Sequence, residues 1–178
     1  MIYDTMLLIQ LTGLSGAGKT SIAHKVKMEM EQKGILLEIV DGDCYRRTLC
    51  KDLSFSKPDR CENIRRLGAV AYSFVQQNRI TILAAINPYE EIRQELTQKY
   101  GTKTVWIHCP LQVLLRRDTK GLYKKALLPD KHPDKLFNLT GVNDTYEAPT
   151  APDLIINTAE ESLSEAAHKL IQFIISCL

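Results

Sequence analysis

Apolar and polar positions along the chain follow two alternating rhythms. Short apolar runs of strand length occur at Met6–Leu11, Ile35–Val40, Ile80–Ile86, Thr104–His108 and Leu154–Ile156. Elsewhere apolar residues recur in three- and four-residue steps: Ile22, Ala23, Val26 and Met30; Ile64, Leu67, Val70, Ala71 and Phe74; Leu163, Ala166, Ala167, Leu170, Ile171 and Ile174. The runs read as buried strands. The stepped patterns read as helices, one ending near Gly34 and others over 59–77, 89–99 and 162–176. Ser56 and Asp59 have the spacing of a capping box, and Pro58 suits a first helical turn. Strand–helix alternation predicts an α/β fold, a five-stranded parallel sheet with helices on both faces. Ligands of such sheets gather at the carboxyl ends of the strands, so the residues just after each run are the place to look for chemistry.

Composition narrows this picture. The 178 residues suit one domain over 1–178, and the balance of 44% hydrophobic and 25% charged residues is ordinary for a globular chain. A net charge of +2 gives no ground to expect nucleic acid or membrane as a partner. The five cysteines, Cys44, Cys50, Cys61, Cys109 and Cys177, form no C-x-x-C and no metal-ligand spacing, so reduced thiols in a cytoplasmic protein are expected. The N-terminus lacks the basic segment and cleavage site of a secretory leader, and its apolar run is too short to span a membrane.

The first run leads into Gly13-Leu14-Ser15-Gly16-Ala17-Gly18-Lys19-Thr20, which is G-x-x-x-x-G-K-T, the phosphate-binding P-loop, in its required setting of strand, glycine loop and helix. The glycines let backbone N–H groups turn toward phosphate oxygens, and the helix adds its positive end. Lys19 is expected on the β- and γ-phosphates of ATP, and the Thr20 hydroxyl on Mg²⁺.

After the second run comes Asp41-Gly42-Asp43-Cys44-Tyr45-Arg46. Two carboxylates so close together need a metal, a cation or a shared proton. One is expected on metal-bound water, the other on an acceptor hydroxyl; Asp-Gly is also a common turn pair. Asp41 is assigned to Mg²⁺ with Thr20, and Asp43 to the acceptor. Arg60 and Asn63, three residues apart, can face one ligand from the first turn of a helix, whereas Arg65 reads as solvated and Phe55, on spacing alone, as a core aromatic. The third run ends in Ile86-Asn87-Pro88-Tyr89; structural and ligand-facing roles stay open for Asn87, since Asn-Pro is a turn signal. The segment from Arg116 to Lys135 is the most basic of the chain. With Gly121 and two prolines it reads as a poor helix and a mobile lid, spanning about 116–145, that brings Arg116, Lys120 and Lys124 onto phosphates and excludes water.

As an ordered set, GLSGAGKTS (13–21), DGDxxR (41–46), DLSFS (52–56), DRCENIRR (59–66), KGLYKKA (120–126) and YEAP (146–149) resemble the adenylylsulfate kinases, over nearly the whole chain. The resemblance implies the three-layer P-loop NTPase fold and phosphorylation by ATP of the 3′-hydroxyl of adenosine 5′-phosphosulfate (APS), giving PAPS and ADP. It implies that Gly13 to Thr20 bind ATP and Mg²⁺. It places Asp43, Arg46, Phe55, Arg60, Asn63, Ile86 and Lys120 around the acceptor, with Phe55 stacked on the base and Arg46 and Arg60 at the charged end. It also implies a homodimer working in sulfate assimilation.

The chain departs from the family pattern at four places, all near the expected acceptor site. Asn87 stands where the family has a serine that some members phosphorylate. Leu139-Thr140-Gly141-Val142 replaces F-T-G-I, so that Leu139 offers apolar contact without π-stacking to the second face of the base. Cys44 replaces the usual Asn, and 127–138 is longer and less similar. Two further readings follow: a related kinase acting on another nucleotide conjugate, such as cytidine diphosphoramidate, and a nucleotide-dependent switch. The absence of N-K-x-D, the paired aspartates and the basic lid weigh against the switch.

Overall fold

The computed structural model describes residues 6–178; Met1 to Thr5, part of the N-terminus in which no leader is expected, lie outside the described residues. Five strands, β1 (Leu8–Thr12), β2 (Leu37–Asp41), β3 (Ile80–Ala84), β4 (Lys103–His108) and β5 (Leu154–Asn157), form one parallel sheet in the order β2-β3-β1-β4-β5. Seven helices accompany them: α1 (Lys19–Glu31), α2 (Gly42–Arg46), α3 (Lys57–Val75), α4 (Glu90–Tyr100), α5 (Leu111–Arg117), α6 (Leu122–Ala126) and α7 (Leu163–Ser176).

The sheet carries a core on each face. Ile9, Leu11, Ile82, Val105, Ile107 and Ile156 pack with Ile22, Ala23, Val26 and Met30 of α1 and Ala167, Leu170 and Ile174 of α7. Leu8, Val40 and Leu83 point the other way, against Ile64, Leu67 and Ala71 of α3 and Ile92 and Leu96 of α4. Central strands covered on both faces read as continuous apolar runs, which is why the sequence rhythm shows them plainly. Of the expected α7 stripe, Leu163 is exposed and the rest is buried. β1 lies at the middle of the sheet, with its own helix on one face and the helix after β3 on the other. A crevice opens where their carboxyl ends diverge.

Most boundaries shift by a residue or two, and three local features differ from the sequence reading for physical reasons. The third strand stops at Ala84, not Ile86, because Asn87 takes a left-handed backbone (φ 47°) and turns the chain away. The Ser56 hydroxyl caps α3 through the Asp59 N–H, but the Asp59 carboxylate answers to the Ser54 N–H and hydroxyl, so the capping box is only half formed. The basic segment is not devoid of helix: α5 runs to Arg117, and α6 restarts after left-handed Gly121. The Asp118 carboxylate accepts from the N–H groups of Tyr123 (3.0 Å) and Lys124 (2.9 Å).

Candidate functional site

The loop between β1 and α1 is shaped by glycine. A Cβ on Gly13 (φ 154°) would fall on the carbonyl oxygen of Ile107 in the neighbouring strand, so the chain can leave β1 only without a side chain here. Lys19 is about nine-tenths buried, and its Nζ donates to the carbonyls of Gly13 (2.7 Å) and Leu14 (2.8 Å). Burial pushes its ammonium down to about 8, against the pull of the Asp43 and Asp41 carboxylates. The Tyr123 hydroxyl donates to the Ser15 carbonyl at 2.7 Å, which ties α6 to the loop; the motif 120–126 contains this tyrosine, but nothing in its spacing signals the anchor.

The two aspartates have different surroundings. Asp41 is the N-cap of the short helix α2. Its Oδ1 accepts from the N–H groups of Asp43 (2.8 Å) and Cys44 (3.3 Å), and its Oδ2 accepts from the Thr20 hydroxyl at 2.7 Å. It is therefore both the turn-former and a ligand-facing group. Asp43, one residue into that helix, leaves most of its carboxylate in solvent and is met by Lys120 Nζ at 2.5 Å.

A cavity of about 270 Å³ runs along the loop, lined by Ser15, Gly16, Gly18, Lys19, Thr20 and Ser21 with Asp41, Asp43, Ala85, Ile86 and Lys120. A second, of about 550 Å³, lies beyond it; Asp43, Ala85, Ile86 and Lys120 form part of its wall too, together with Arg46, Phe55, Arg60, Asn63 and Asn87. Two cavities thus share one seam, and the Asp43–Lys120 pair stands on it.

The second cavity gathers side chains from α2, the 53–56 loop, α3 and the turn after β3. Phe55 is not a core aromatic: it is 52% exposed, and the guanidinium carbons of Arg46 and Arg60 lie 4.8 and 5.3 Å from its ring centroid. Arg46 donates to the carbonyls of Leu53 (3.2 Å) and Ser54 (2.9 Å), and burial with the nearby Arg60 charge lowers its pKa from the ordinary arginine value. Arg60 is buried and largely committed within the protein: Nε donates to the Phe55 carbonyl (2.9 Å), and Nη2 donates to the Asn138 carbonyl (2.7 Å) and pairs with Asp144 (2.6 Å). It clips the 53–56 loop to the 138–144 segment. Asn63 is buried in the wall with Oδ1 unpartnered. Arg65 lies outside, paired with Glu95.

Two expected residues, Leu139 and Arg116, are placed differently, and Asn87, whose role was open, has both a cavity side and an interior partner. Leu139 does not line the second cavity; an aliphatic side chain in this loop gains more by burial, and it packs in the core on the α1–α7 face. Asn87 borders the cavity, but its amide nitrogen donates to Gln10 Oε1 at 2.9 Å inside the protein. Of the adjacent arginines on α5, Arg117 lines the hollow beside Ser15 and Gly16 and donates to the Thr158 carbonyl at 2.8 Å; Arg116 is exposed and outside that lining.

Among the described residues no group of three or more His, Cys, Asp or Glu side chains could hold a metal ion. The Thr20 hydroxyl and Asp41 carboxylate are nonetheless two hard oxygen donors side by side on the loop cavity. That suits a small divalent cation taking its other ligands from water and phosphate oxygens. No helix among the described residues is long and apolar enough to cross a membrane, and the five cysteines are free thiols.

Comparison with known proteins places this geometry in a family. The family model described as adenylylsulphate kinase matches residues 5–157. A probable adenylyl-sulfate kinase of Synechocystis sp. is 43% identical over 165 residues, covering 92% of this chain and 90% of the relative. The adenylyl-sulfate kinase of Picosynechococcus sp. is 42% identical over the same length and shares of each chain. Among solved structures, the APS kinase of Mycobacterium tuberculosis in complex with AMPPNP and APS superposes with a TM-score of 0.87 at 35% identity, over 96% of this chain and 97% of that one.

Proposed function

The chain belongs to the adenylylsulphate kinase family, and on that footing we propose that it transfers the γ-phosphoryl group of ATP directly to the 3′-hydroxyl of APS, giving PAPS and ADP. The observation that carries the transfer is the seam: Asp43 and Lys120 belong to the walls of both cavities, so a triphosphate along 13–20 and an acceptor against Phe55 would meet at that pair.

The roles follow from the contacts. Backbone N–H groups of the loop cradle the phosphates, and Lys19 exchanges its two carbonyl partners for phosphate oxygens, where its charge offsets what accumulates on the transferring group. Thr20 and Asp41 would hold Mg²⁺, which supplies charge neutralisation between the phosphates when bound. Asp43 accepts the proton of the acceptor hydroxyl while the new O–P bond forms and the bond to ADP breaks. Lys120 steadies Asp43 and the incoming anion. Phe55 offers a ring to the base, and Arg46 attracts the acceptor's charged end. A homodimer in sulfate assimilation completes the reading.

The experiment is a coupled ADP-release assay with ATP and a panel of nucleotide acceptors. APS is expected to be the substrate with the highest kcat/KM. A folded, ATP-binding protein that ignores APS and turns over a cytidine conjugate would overturn the proposal. Light scattering during size-exclusion chromatography checks the dimer.

A further inference from the structure

The turn 86–88 floors the second cavity and borders the first, and its middle residue bends the chain through a left-handed backbone. Asn87 is a non-glycine residue at φ 47°, a conformation that persists only where the surroundings over-determine it. Its backbone is held by hydrogen bonds from two sides. The Ile86 carbonyl accepts from the Gly13 N–H (3.2 Å) and the Thr12 hydroxyl (2.8 Å), which joins the floor to the phosphate loop. The Asn87 carbonyl accepts from the same Thr12 hydroxyl (2.9 Å) and from Arg93 Nη1 (2.7 Å). Thr12 has one proton for two carbonyls, so it cannot hold both at once. The permanent donor on Asn87 is Arg93.

Arg93 lies on α4 with 2% of its surface exposed, and it is in the wall of neither cavity. Its other donors are spent on the same assembly: Nη2 reaches the Glu147 carbonyl at 2.7 Å, and Nη2 and Nε reach Glu90 Oε2 at 2.6 and 2.9 Å. Glu147 in turn bonds the Pro88 carbonyl through its N–H (2.8 Å) and the Glu90 N–H through its carboxylate (2.7 Å), and the Tyr146 hydroxyl lies 3.0 Å from Thr12 Oγ1. One planar guanidinium therefore joins the left-handed residue of the floor, the start of α4 and the strand of chain arriving from the lid.

From this we infer that Arg93 is a positioning residue for the acceptor: it locks the 86–88 turn at the height that keeps the acceptor hydroxyl in line with the phosphate loop. The inference rests on the reading of the second cavity as the acceptor site. A lysine keeps the charge beside Glu90 but cannot reach the Asn87 and Glu147 carbonyls in one plane, so Arg93→Lys separates charge from geometry and is the variant expected to fold. Arg93→Met removes both.

The test measures acceptor KM, kcat and ATP affinity by calorimetry in both variants, with whichever nucleotide acceptor the unaltered protein turns over. Acceptor KM is expected to rise about tenfold in Arg93→Lys and further in Arg93→Met, with kcat reduced and ATP affinity changed by less than about twofold. A loss of fold alone would scale kcat through the active fraction and leave KM in place. Unchanged acceptor KM in Arg93→Lys, or a parallel loss of ATP affinity, overturns the inference. Failure of the unaltered protein to use APS would overturn the proposed function and leave this comparison intact.

Discussion

The donor loop and the acceptor cavity share a seam and little else. The loop is contiguous, and in the proposed reading it acts mostly through backbone: the two side chains assigned to phosphate and metal, Lys19 and Thr20, follow directly on its glycines. The proposed acceptor cavity is assembled from five separated stretches of chain, and its side chains hold one another. Arg46 braces the carbonyls of Leu53 and Ser54, Arg60 ties Phe55 to Asn138 and Asp144, and Arg93 pins Asn87 from outside. A contiguous site stands or falls as one motif. A composite site can change at single positions; of the four departures from the family pattern, at residues 44, 87, 127–138 and 139–142, only Asn87 lies in its wall, and Leu139 is buried in the core. The difference lies in how each is held: the loop by its own backbone, the cavity by clips between separated loops.

The sharpest break of the comparison is at the seam. Asp43→Asn keeps shape and helix position and removes the proton acceptor together with the partner of Lys120. Its kcat is expected to fall on the order of 10²–10⁴-fold, with ATP affinity within about twofold of the unaltered protein. Loss of ATP affinity with kcat retained would reassign the aspartate to the donor side.

Next in size is Lys19→Ala, expected to lower kcat on the order of 10²–10³-fold, because its charge is needed most where negative charge develops. Turnover at the unaltered rate would refute the loop assignment. Both changes act on either acceptor, so neither tells APS from a cytidine conjugate.

The acceptor side is probed by Phe55→Ala. Base stacking on an aromatic is worth on the order of 1–3 kcal/mol, so acceptor KM is expected to rise about 5- to 150-fold with kcat less affected. The ring is flanked by two guanidinium groups, and a base that stacks there must share it with them. An unchanged KM would move the base elsewhere in the cavity. Leu139 gives the matching control: because it is buried in the core, Leu139→Phe is expected to cost about 1–3 kcal/mol of stability by overpacking, rather than to tighten acceptor binding. Thermal unfolding and acceptor KM, measured together, decide it.

The contrast also explains what the sequence made legible. Strands buried on both faces, such as Leu8–Thr12 and Ile80–Ala84, announce themselves by composition. The phosphate loop does so by a motif whose spacing is its geometry. Asp41 was legible as an acidic turn, and it caps α2 while its other oxygen accepts from Thr20 on the loop cavity. Hidden were the effects that depend on distant partners. Arg93 follows the cavity wall by a few residues and touches it only from behind, through the Asn87 carbonyl, and carries no local pattern. Tyr123 reads as one more helical residue until Ser15 is seen beneath it. Leu139 was expected at the acceptor because its motif position is, but a loop's register does not fix which way an aliphatic side chain turns. Apolar burial turned it inward.

The smallest effect is a proton count, and it bears on the donor side alone. In the free protein burial pushes Lys19 down to about 8 from 10.5, so the ammonium is charged at neutral pH and loses its proton as pH rises through 8. An unfolded chain would hold that proton up to 10.5, so this group alone makes folding more favourable as pH climbs between the two values. ATP reverses the bias: phosphate oxygens beside Nζ favour the charged form and raise its pKa in the complex. Binding at about pH 9 must then take up nearly one proton, whereas at about pH 7 the lysine contributes little. ATP affinity should fall toward tenfold per pH unit above 8 for the same reason. Calorimetric titrations in buffers of different ionisation enthalpy read the proton number directly. Lys19→Met has no proton to take up at this position, so uptake at pH 9 should vanish in it. Uptake that survives in Lys19→Met would place the titrating group elsewhere.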